Sequence, residues 1–446
     1  MPLRILHLTG TANGAPWLIG IMREQQRRGH EVHAVIAGRD GSIAPILERE
    51  GIPYEIMYLG LSDRGSSIDA GFRVFAVARY LRRFRADVVM YHLFPSIVIG
   101  RLASWLVDAP LRFSMIPSPL FLESPFLRDL EAATAWADTR VIATCGNTRD
   151  LYAEKKIARG KVELVYYGVD EAEFDPATAS RDKLRREIGV SDDTPLIGMV
   201  AYFYAPNRNQ FMSPPHMIGR GAKGHEVLFE AIPRVLQEFP DAKFVLVGKG
   251  WAEPGIDYER ILRQMVVDMK LSDAVIFAGE RTDIPDTLAS FDIALQCSLA
   301  ENLGGSIEGL LMARPMIVTR VGGFTDSVLH EKTGLLVPHG DPEALSEAIV
   351  RLLRDPAFAE SLGANGRQWM LERFTLRRTV DDLDALYARF GGKPGYRLLR
   401  SLLRIPLLPF RIAPITAKME MVRFTKLTLA RIVRGVKRRL LSRQPA

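Results

Sequence analysis

Phe291-Asp-Ile-Ala-Leu-Gln-Cys297, followed by Ser298-Leu-Ala-Glu301-Asn-Leu-Gly304-Gly305-Ser-Ile-Glu308-Gly309, is the stretch on which the fold turns. A short apolar run bounded by turn residues reads as a buried strand. The glycines after it read as a turn opening a helix, one part of a parallel α/β arrangement. Such a turn exposes backbone N–H groups and the positive end of a helix dipole, where a phosphate can sit. Glu301 and Glu308 flank the turn and can accept hydrogen bonds from sugar hydroxyls on either side of a diphosphate. A capping turn with Glu308 as an ordinary first-turn acid would read the same way.

Outward from this stretch, strand-like runs at 196–201, 243–248, 274–278 and 315–320 belong to the same half of the chain. Residues 3–8, 31–37, 87–92, 111–116 and 139–144 form an earlier series with helical patterns between several of them. Two α/β series of similar length predict two Rossmann-like, doubly wound domains facing each other across a cleft. The expected boundaries are 1–178 and 190–375, with 376–392 able to pack back on the first domain. The charged stretch between Pro176 and Pro195 reads as the interdomain linker. Residues 202–219 form a loop with three prolines and no periodicity, a length that usually marks function or mobility. The apolar run Val88–Val107 has the length of a membrane span. His92, Pro95, Gly100 and Arg101 interrupt it, so it reads as strand, loop and helix.

Apolar residues are 47% and charged residues 25% of the chain, the mix of a folded protein with its own cores. Cys145 and Cys297 are the only cysteines, which predicts a reducing, cytoplasmic setting and neither a disulfide scaffold nor a zinc site. No secretory leader is read behind Met1. Residues 391–446 hold 14 lysines and arginines against the single acid Glu420, a net +13. With +7 for the whole chain, the first 390 residues carry −6. A neutral-to-acidic body therefore has a basic tail, expected at 393–446. From Lys418 onward, Val422, Leu429, Ile432, Val433, Val436 and Leu440 fall on one helical stripe with basic residues beside it. That pattern predicts an amphipathic helix lying on an anionic membrane. A nucleic-acid patch or a solubilising tail would share the composition; no nucleic-acid partner is expected. Gly71–Arg85, with Phe72, Phe75, Leu81 and Phe84 among five arginines, could add a second membrane contact.

A second constellation, Gly219-Arg220-Gly221-Ala222-Lys223-Gly224-His225, follows the long loop. An arginine can fork onto phosphate oxygens and a lysine can add a point charge. In order and spacing, Arg220-x-x-Lys223-Gly-His, Val245-Leu-Val-Gly248-Lys-Gly250, Phe277-Ala-Gly-Glu-Arg281-Thr-Asp283, Ser298-x-x-Glu301…Glu308 and Gly334-Leu-Leu-Val-Pro338 resemble retaining glycosyltransferase family 4. Arg27-Arg-Gly29-His30-Glu-Val32 and Tyr167-Gly168-Val169-Asp170 fit the same pattern more weakly. The resemblance implies a GT-B fold, with the donor held mainly by the C-terminal domain and the acceptor by the N-terminal one. It implies that Arg220 and Lys223 hold a nucleotide diphosphate, that Glu301 binds donor-sugar hydroxyls and that Glu308 binds the ribose. Gly304 and Gly305 would offer N–H groups, Gly248 would line the donor site, and Arg281 would lie near the base. His92 stands where the family often has a histidine near the transferred sugar.

The chain departs from the family in two places. Glu301 and Glu308 enclose six residues rather than seven, and Asn302-Leu-Gly-Gly resembles a variant of the usual motif. The first loop, Thr11-Ala-Asn13-Gly14-Ala15, lacks the frequent double glycine, leaving Gly14 as the acceptor-side candidate. No metal and no cofactor is expected; the acidic run Asp381-Asp382-x-Asp384 reads as a solvated helix face. The expected activity is sugar transfer from a nucleotide-sugar to a saccharide or lipid-linked acceptor in bacterial envelope or exopolysaccharide synthesis. The expected location is the inner face of the plasma membrane. A sugar-nucleotide epimerase or hydrolase of the same fold, or a non-catalytic binding protein, are the alternatives. A dehydrogenase is excluded because no Gly-x-Gly-x-x-Gly follows the first strand.

Overall fold

The computed structural model of the chain describes residues 2–60, 67–207, 213–392, 395–411 and 413. The centre of the long loop and the amphipathic stripe expected from Lys418 onward lie outside these residues. The first sheet holds β1 (Arg4–Thr9), β2 (Glu31–Ile36), β3 (Tyr54–Ile56), β4 (Val88–His92), β5 (Leu111–Ile116), β6 (Arg140–Ala143) and β7 (Val162–Leu164). The second holds β8 (Leu196–Val200), β9 (Lys243–Val247), β10 (Val275–Gly279), β11 (Ile293–Gln296), β12 (Met316–Thr319) and β13 (Leu335–Val337). Their orders are β3-β2-β1-β4-β5-β6-β7 and β10-β9-β8-β11-β12-β13. Pairing is parallel throughout, so most strands are covered on both faces and read as continuous apolar runs. Each order reverses once, between β1 and β4 and between β8 and β11. Ligands of open α/β sheets bind outside the strand ends at such points.

Three short strands escaped the sequence pattern. β3, β7 and β13 have three residues each and lie at sheet edges, too short to show a period. The run Val88–Val107 is β4, a loop and the buried helix Ser96–Leu106, as its interrupting residues predict. Among the described residues no helix is long and apolar enough to cross a membrane.

The presumed linker is a docked element. Its charged residues form the helix Asp182–Glu187, and Arg185 is buried against the second domain. Arg185 Nε donates to Ser290 O at 3.0 Å and Nη2 to Asp292 at 2.7 Å, while Asp292 also accepts the Leu196 N–H. A guanidinium so fully paired behaves as part of a core, which a count of charges cannot reveal.

The helix Leu376–Phe390 returns to the first domain. Gln25 Nε2 donates to Tyr387 OH at 3.1 Å, and Thr379 Oγ1 donates to Tyr166 O at 2.9 Å. Arg28 Nη1 lies 2.7 Å from Asp381 and 3.1 Å from Asp384. The acidic run is therefore a clasp onto the helix Pro16–Arg27, not merely a solvated face. One apolar cluster continues from Ile5 and Val88 through Tyr167, Phe374 and Leu376 to Leu303 and Ile307, forming the floor between the domains.

The first turns of the expected tail also dock. Tyr396 donates its N–H to Asp108 O and its hydroxyl to Ala86 O. Arg404 lies 3.0 Å from Asp108 and over the Trp105 ring, Arg411 covers Trp136, and Leu408 is buried. A boundary at 393 thus cuts through packed structure. Ending the chain at 392 should lower the melting temperature relative to ending it at 413, since burying one leucine contributes about 1.5–3 kcal/mol. Equal thermal unfolding curves for the two truncations would refute this docking.

Candidate active site

A cavity of about 460 Å³ opens between the domains, lined by the ends of β8, β9 and β11 on one side and by the helix Pro16–Arg27 on the other. Two turns of the second domain meet at its edge. Gly224 has a left-handed φ of 68°, and a Cβ there would lie 2.1 Å from the Cys297 carbonyl oxygen. Only glycine allows that approach. The Leu299 N–H donates to Ala222 O at 2.9 Å and ties the 221–224 turn to the turn after β11. Lys223 Nζ is thereby brought onto the Glu301 carboxylate in a hydrogen-bonded ion pair. Ser298 Oγ donates to Glu301 at 3.2 Å and the Asn302 N–H at 3.1 Å, which fixes the carboxylate. Asn302 Nδ2 reaches across the domains to Thr144 Oγ1 at 2.8 Å.

Gly305 has φ 74°, and a Cβ there would meet Gln296 Nε2 at 2.3 Å. Gln296 is itself anchored, donating to Val200 O at 3.0 Å. Gly304 and Gly305 thus face the cavity at the start of the helix Ser306–Leu311. Glu308 sits in the first turn of that helix and also lines the cavity. Burial pushes the Glu308 carboxyl above its ordinary range, opposed by the N–H groups of Glu308 and Gly305. Its Oε2 is buried and has no partner among the described residues.

Gly248, at φ 148°, lines the cavity where a Cβ would strike Ala201 O at 2.0 Å. Arg281 reaches the cavity wall, yet its guanidinium is committed to Asp283 at 2.7 Å and Glu187 at 2.6 Å. It clamps the docked helix 182–187 more than it offers free donors. Gly14 is not part of the cavity wall; a Cβ there would come 3.3 Å from the Trp251 ring.

Of the expected residues, Glu301, Gly14, Arg220 and His92 lie outside the cavity wall, Glu301 being tied to it through Lys223, and Arg220 and His92 stand apart from that pair. Arg220 is exposed and absent from the cavity wall; its Nη1 lies 3.2 Å from where a Cβ on Gly340 would be. Lys223, three residues on, does line the cavity. His92 is fully buried and also absent from the wall, with Trp17 set edge-on against it at 5.6 Å. His92 Nε2 is 2.9 Å from His7 Nδ1, and His7 Nε2 is 2.8 Å from Gln25 Oε1. Burial holds His92 well below its ordinary pKa and His7 at about 4, so both are neutral near pH 7.

The aromatic wall was not anticipated from sequence. Trp17 stacks on Tyr167 at 5.5 Å, and Tyr202, Tyr204 and Trp251 form a cluster beside Lys223. Arg23, held by Asp170 at 2.7 Å, extends the wall from the first domain. The spacing Pro16, Trp17, Gly20, Arg23 is one face of a helix and could have signalled a cavity-lining stripe. Among the described residues no group of three or more His, Cys, Asp or Glu could hold a metal ion.

Two nucleotide-type domains closing on a cavity with a half-buried Lys–Glu pair and a glycine turn make up the GT-B arrangement. Residues 216–355 match the family described as glycosyl transferases group 1, and residues 19–168 match the glycosyl transferase 4-like domain. The chain is a GT-B glycosyltransferase of family 4 type. It is 26% identical over 229 residues to N-acetyl-alpha-D-glucosaminyl L-malate synthase of Bacillus anthracis, covering 51% of this chain and 53% of that protein. It thus spans about half the length of that relative. It is 23% identical over 320 residues to UDP-Gal:alpha-D-GlcNAc-diphosphoundecaprenol alpha-1,3-galactosyltransferase of Escherichia coli, covering 69% and 77%. The fold matches Anabaena Alr3699/HepE in complex with UDP-glucose with a TM-score of 0.72 at 21% identity, over 87% of this chain and 100% of that one.

Proposed function

We propose that this protein transfers a sugar, with retention of anomeric configuration, from a nucleoside-diphosphate sugar to a saccharide or lipid-linked acceptor. The observation that carries the reading is the Lys223–Glu301 pair beside the Gly304–Gly305 turn, at the edge of an interdomain cavity. Lys223 and the glycine N–H groups would offset the charge of the departing diphosphate. Glu301 would accept from donor-sugar hydroxyls, and the unpartnered Glu308 oxygen would accept from the ribose. Gly248 and the Arg281 loop would border the base, and Gly14 the acceptor entrance. The bond from the anomeric carbon to phosphate breaks as the acceptor oxygen bonds on the same face, and the acceptor's proton leaves with the departing diphosphate. Positioning of the two substrates supplies much of the rate, and no carboxylate nucleophile or metal ion is assigned.

The relative acting on a diphosphoundecaprenol-linked sugar supports an acceptor of the envelope or exopolysaccharide class. The basic residues beyond 413 support a working place on the inner face of the plasma membrane. Thermal shifts with UDP, GDP, ADP and their sugars, followed by transfer assays with the best donor, test the reading. No stabilisation by any nucleotide would sink it. Glu301→Gln is expected to reduce transfer at least tenfold with little change in affinity for the free nucleoside diphosphate. Glu308→Gln is expected to weaken nucleotide binding itself. Isothermal titration of both variants checks this, and the opposite pattern would exchange the two roles.

A further inference from the structure

A helix that docks on a domain ordinarily turns its apolar side inward. The segment Leu398–Arg404, continued through Ile405–Leu407 to Phe410, does the reverse. Its inward positions are Ser401, Arg404 and Leu408: Ser401 is buried, Arg404 pairs with Asp108 and covers Trp105, and Leu408 enters the core. Its outward positions are leucines and a phenylalanine, with Leu399 71%, Leu403 65% and Phe410 77% exposed and Leu398, Leu402 and Leu407 exposed beside them. Docking through Tyr396, Arg404 and Arg411 holds this orientation.

Charge decides what covers that face. Arg397 and Arg400, each 3.9 Å from Asp108, and Arg411, over the Trp136 ring, flank the segment, and residues 414–446 add nine lysines and arginines against Glu420 alone. A second copy seated on the same face would bring these cations together, whereas an anionic bilayer meets them with opposite charge. Pro406 and Pro409 break the run, so the segment suits the plane of a bilayer surface rather than a crossing.

We infer that Leu398–Phe410 is an in-plane membrane element, with Leu399, Leu402, Leu403 and Phe410 in the acyl boundary and the flanking arginines at anionic headgroups. The inference rests on the proposed membrane-side function and deepens it. The basic residues supply salt-sensitive attraction, while the leucine face supplies insertion that salt does not screen.

The test uses the full chain labelled at Leu403→Cys with an environment-sensitive fluorophore; both natural cysteines are buried, so labelling is selective. Vesicles of phosphatidylcholine with phosphatidylglycerol should shift the emission to the blue, and acyl-chain-brominated lipid should quench it. The same label at Ile261→Cys, exposed on the helix Ala252–Asp268 of the other domain, should not respond. The variant L399S/L402S/F410S should lose at least tenfold in vesicle affinity at high salt, with turnover of a soluble acceptor unchanged. A silent label at 403 while the protein co-sediments with vesicles would overturn the inference. So would an already shielded label without lipid, a shift that depends on protein concentration, or binding lost through F72S/F75S instead. Absence of transfer to any acceptor, with the label still quenched, would overturn the proposed function alone.

Discussion

Lys223→Ala is expected to lower transfer at least tenfold, while Arg220→Ala stays near the wild-type rate. The two residues lie three apart, yet only Lys223 lines the cavity and holds Glu301. A charge-assisted hydrogen bond to phosphate is worth about 1.5–3 kcal/mol, or roughly ten- to a hundredfold in rate if made in the transition state. Removing the lysine also leaves Glu301 partly buried without its cation, so the melting temperature should fall as well. Arg220 is exposed, and its loss removes little that a donor could feel. Initial rates at saturating donor, with thermal unfolding of each variant, check both halves. A fast Lys223→Ala enzyme would remove the diphosphate site from this turn, and a slow Arg220→Ala enzyme would require the loop to swing inward.

Gly224→Ala should be at least as damaging through a different route. Its φ of 68° already costs an alanine about 1 kcal/mol. The added Cβ would also meet the Cys297 carbonyl oxygen at 2.1 Å, a backbone atom that cannot rotate away. The turn must then lift, carrying Lys223 off Glu301 and straining the Leu299 to Ala222 hydrogen bond. Gly189→Ala is the matched control, since Gly189 has φ 71° and nothing within 4 Å of its Cβ position. Transfer should drop more than tenfold in the first variant and hold in the second. Similar melting temperatures and rates for the two would show that the close approach is not what the glycine is for.

The strand runs of both sheets were legible because parallel strands are buried on both faces, and unbroken Val, Ile and Leu runs appear locally. Edge strands of three residues left no such trace. The glycine turn between Glu301 and Glu308 was equally legible, since the left-handed φ of 74° at Gly305 favours glycine. What no spacing could reveal was which side chains meet. Lys223 and Glu301 are 78 positions apart and join because β8 and β11 are neighbours at the point where the strand order reverses.

The same limit explains the corrections. Arg220 and His92 have the residue types a phosphate or sugar site needs, but Arg220 is exposed outside the cavity wall and His92 is buried against Trp17. Charge alone could not distinguish a linker from the docked Arg185 helix, nor a solvated acidic face from the Arg28 clasp. The sequence by itself determined two doubly wound domains, the glycine turns, their acidic and basic candidates and a basic C-terminal end. Those follow from local periodicity, backbone sterics and composition. Only the tertiary structure decided which candidates reach the cavity and which way the leucines of 398–410 face, because both depend on contacts between segments far apart in the chain.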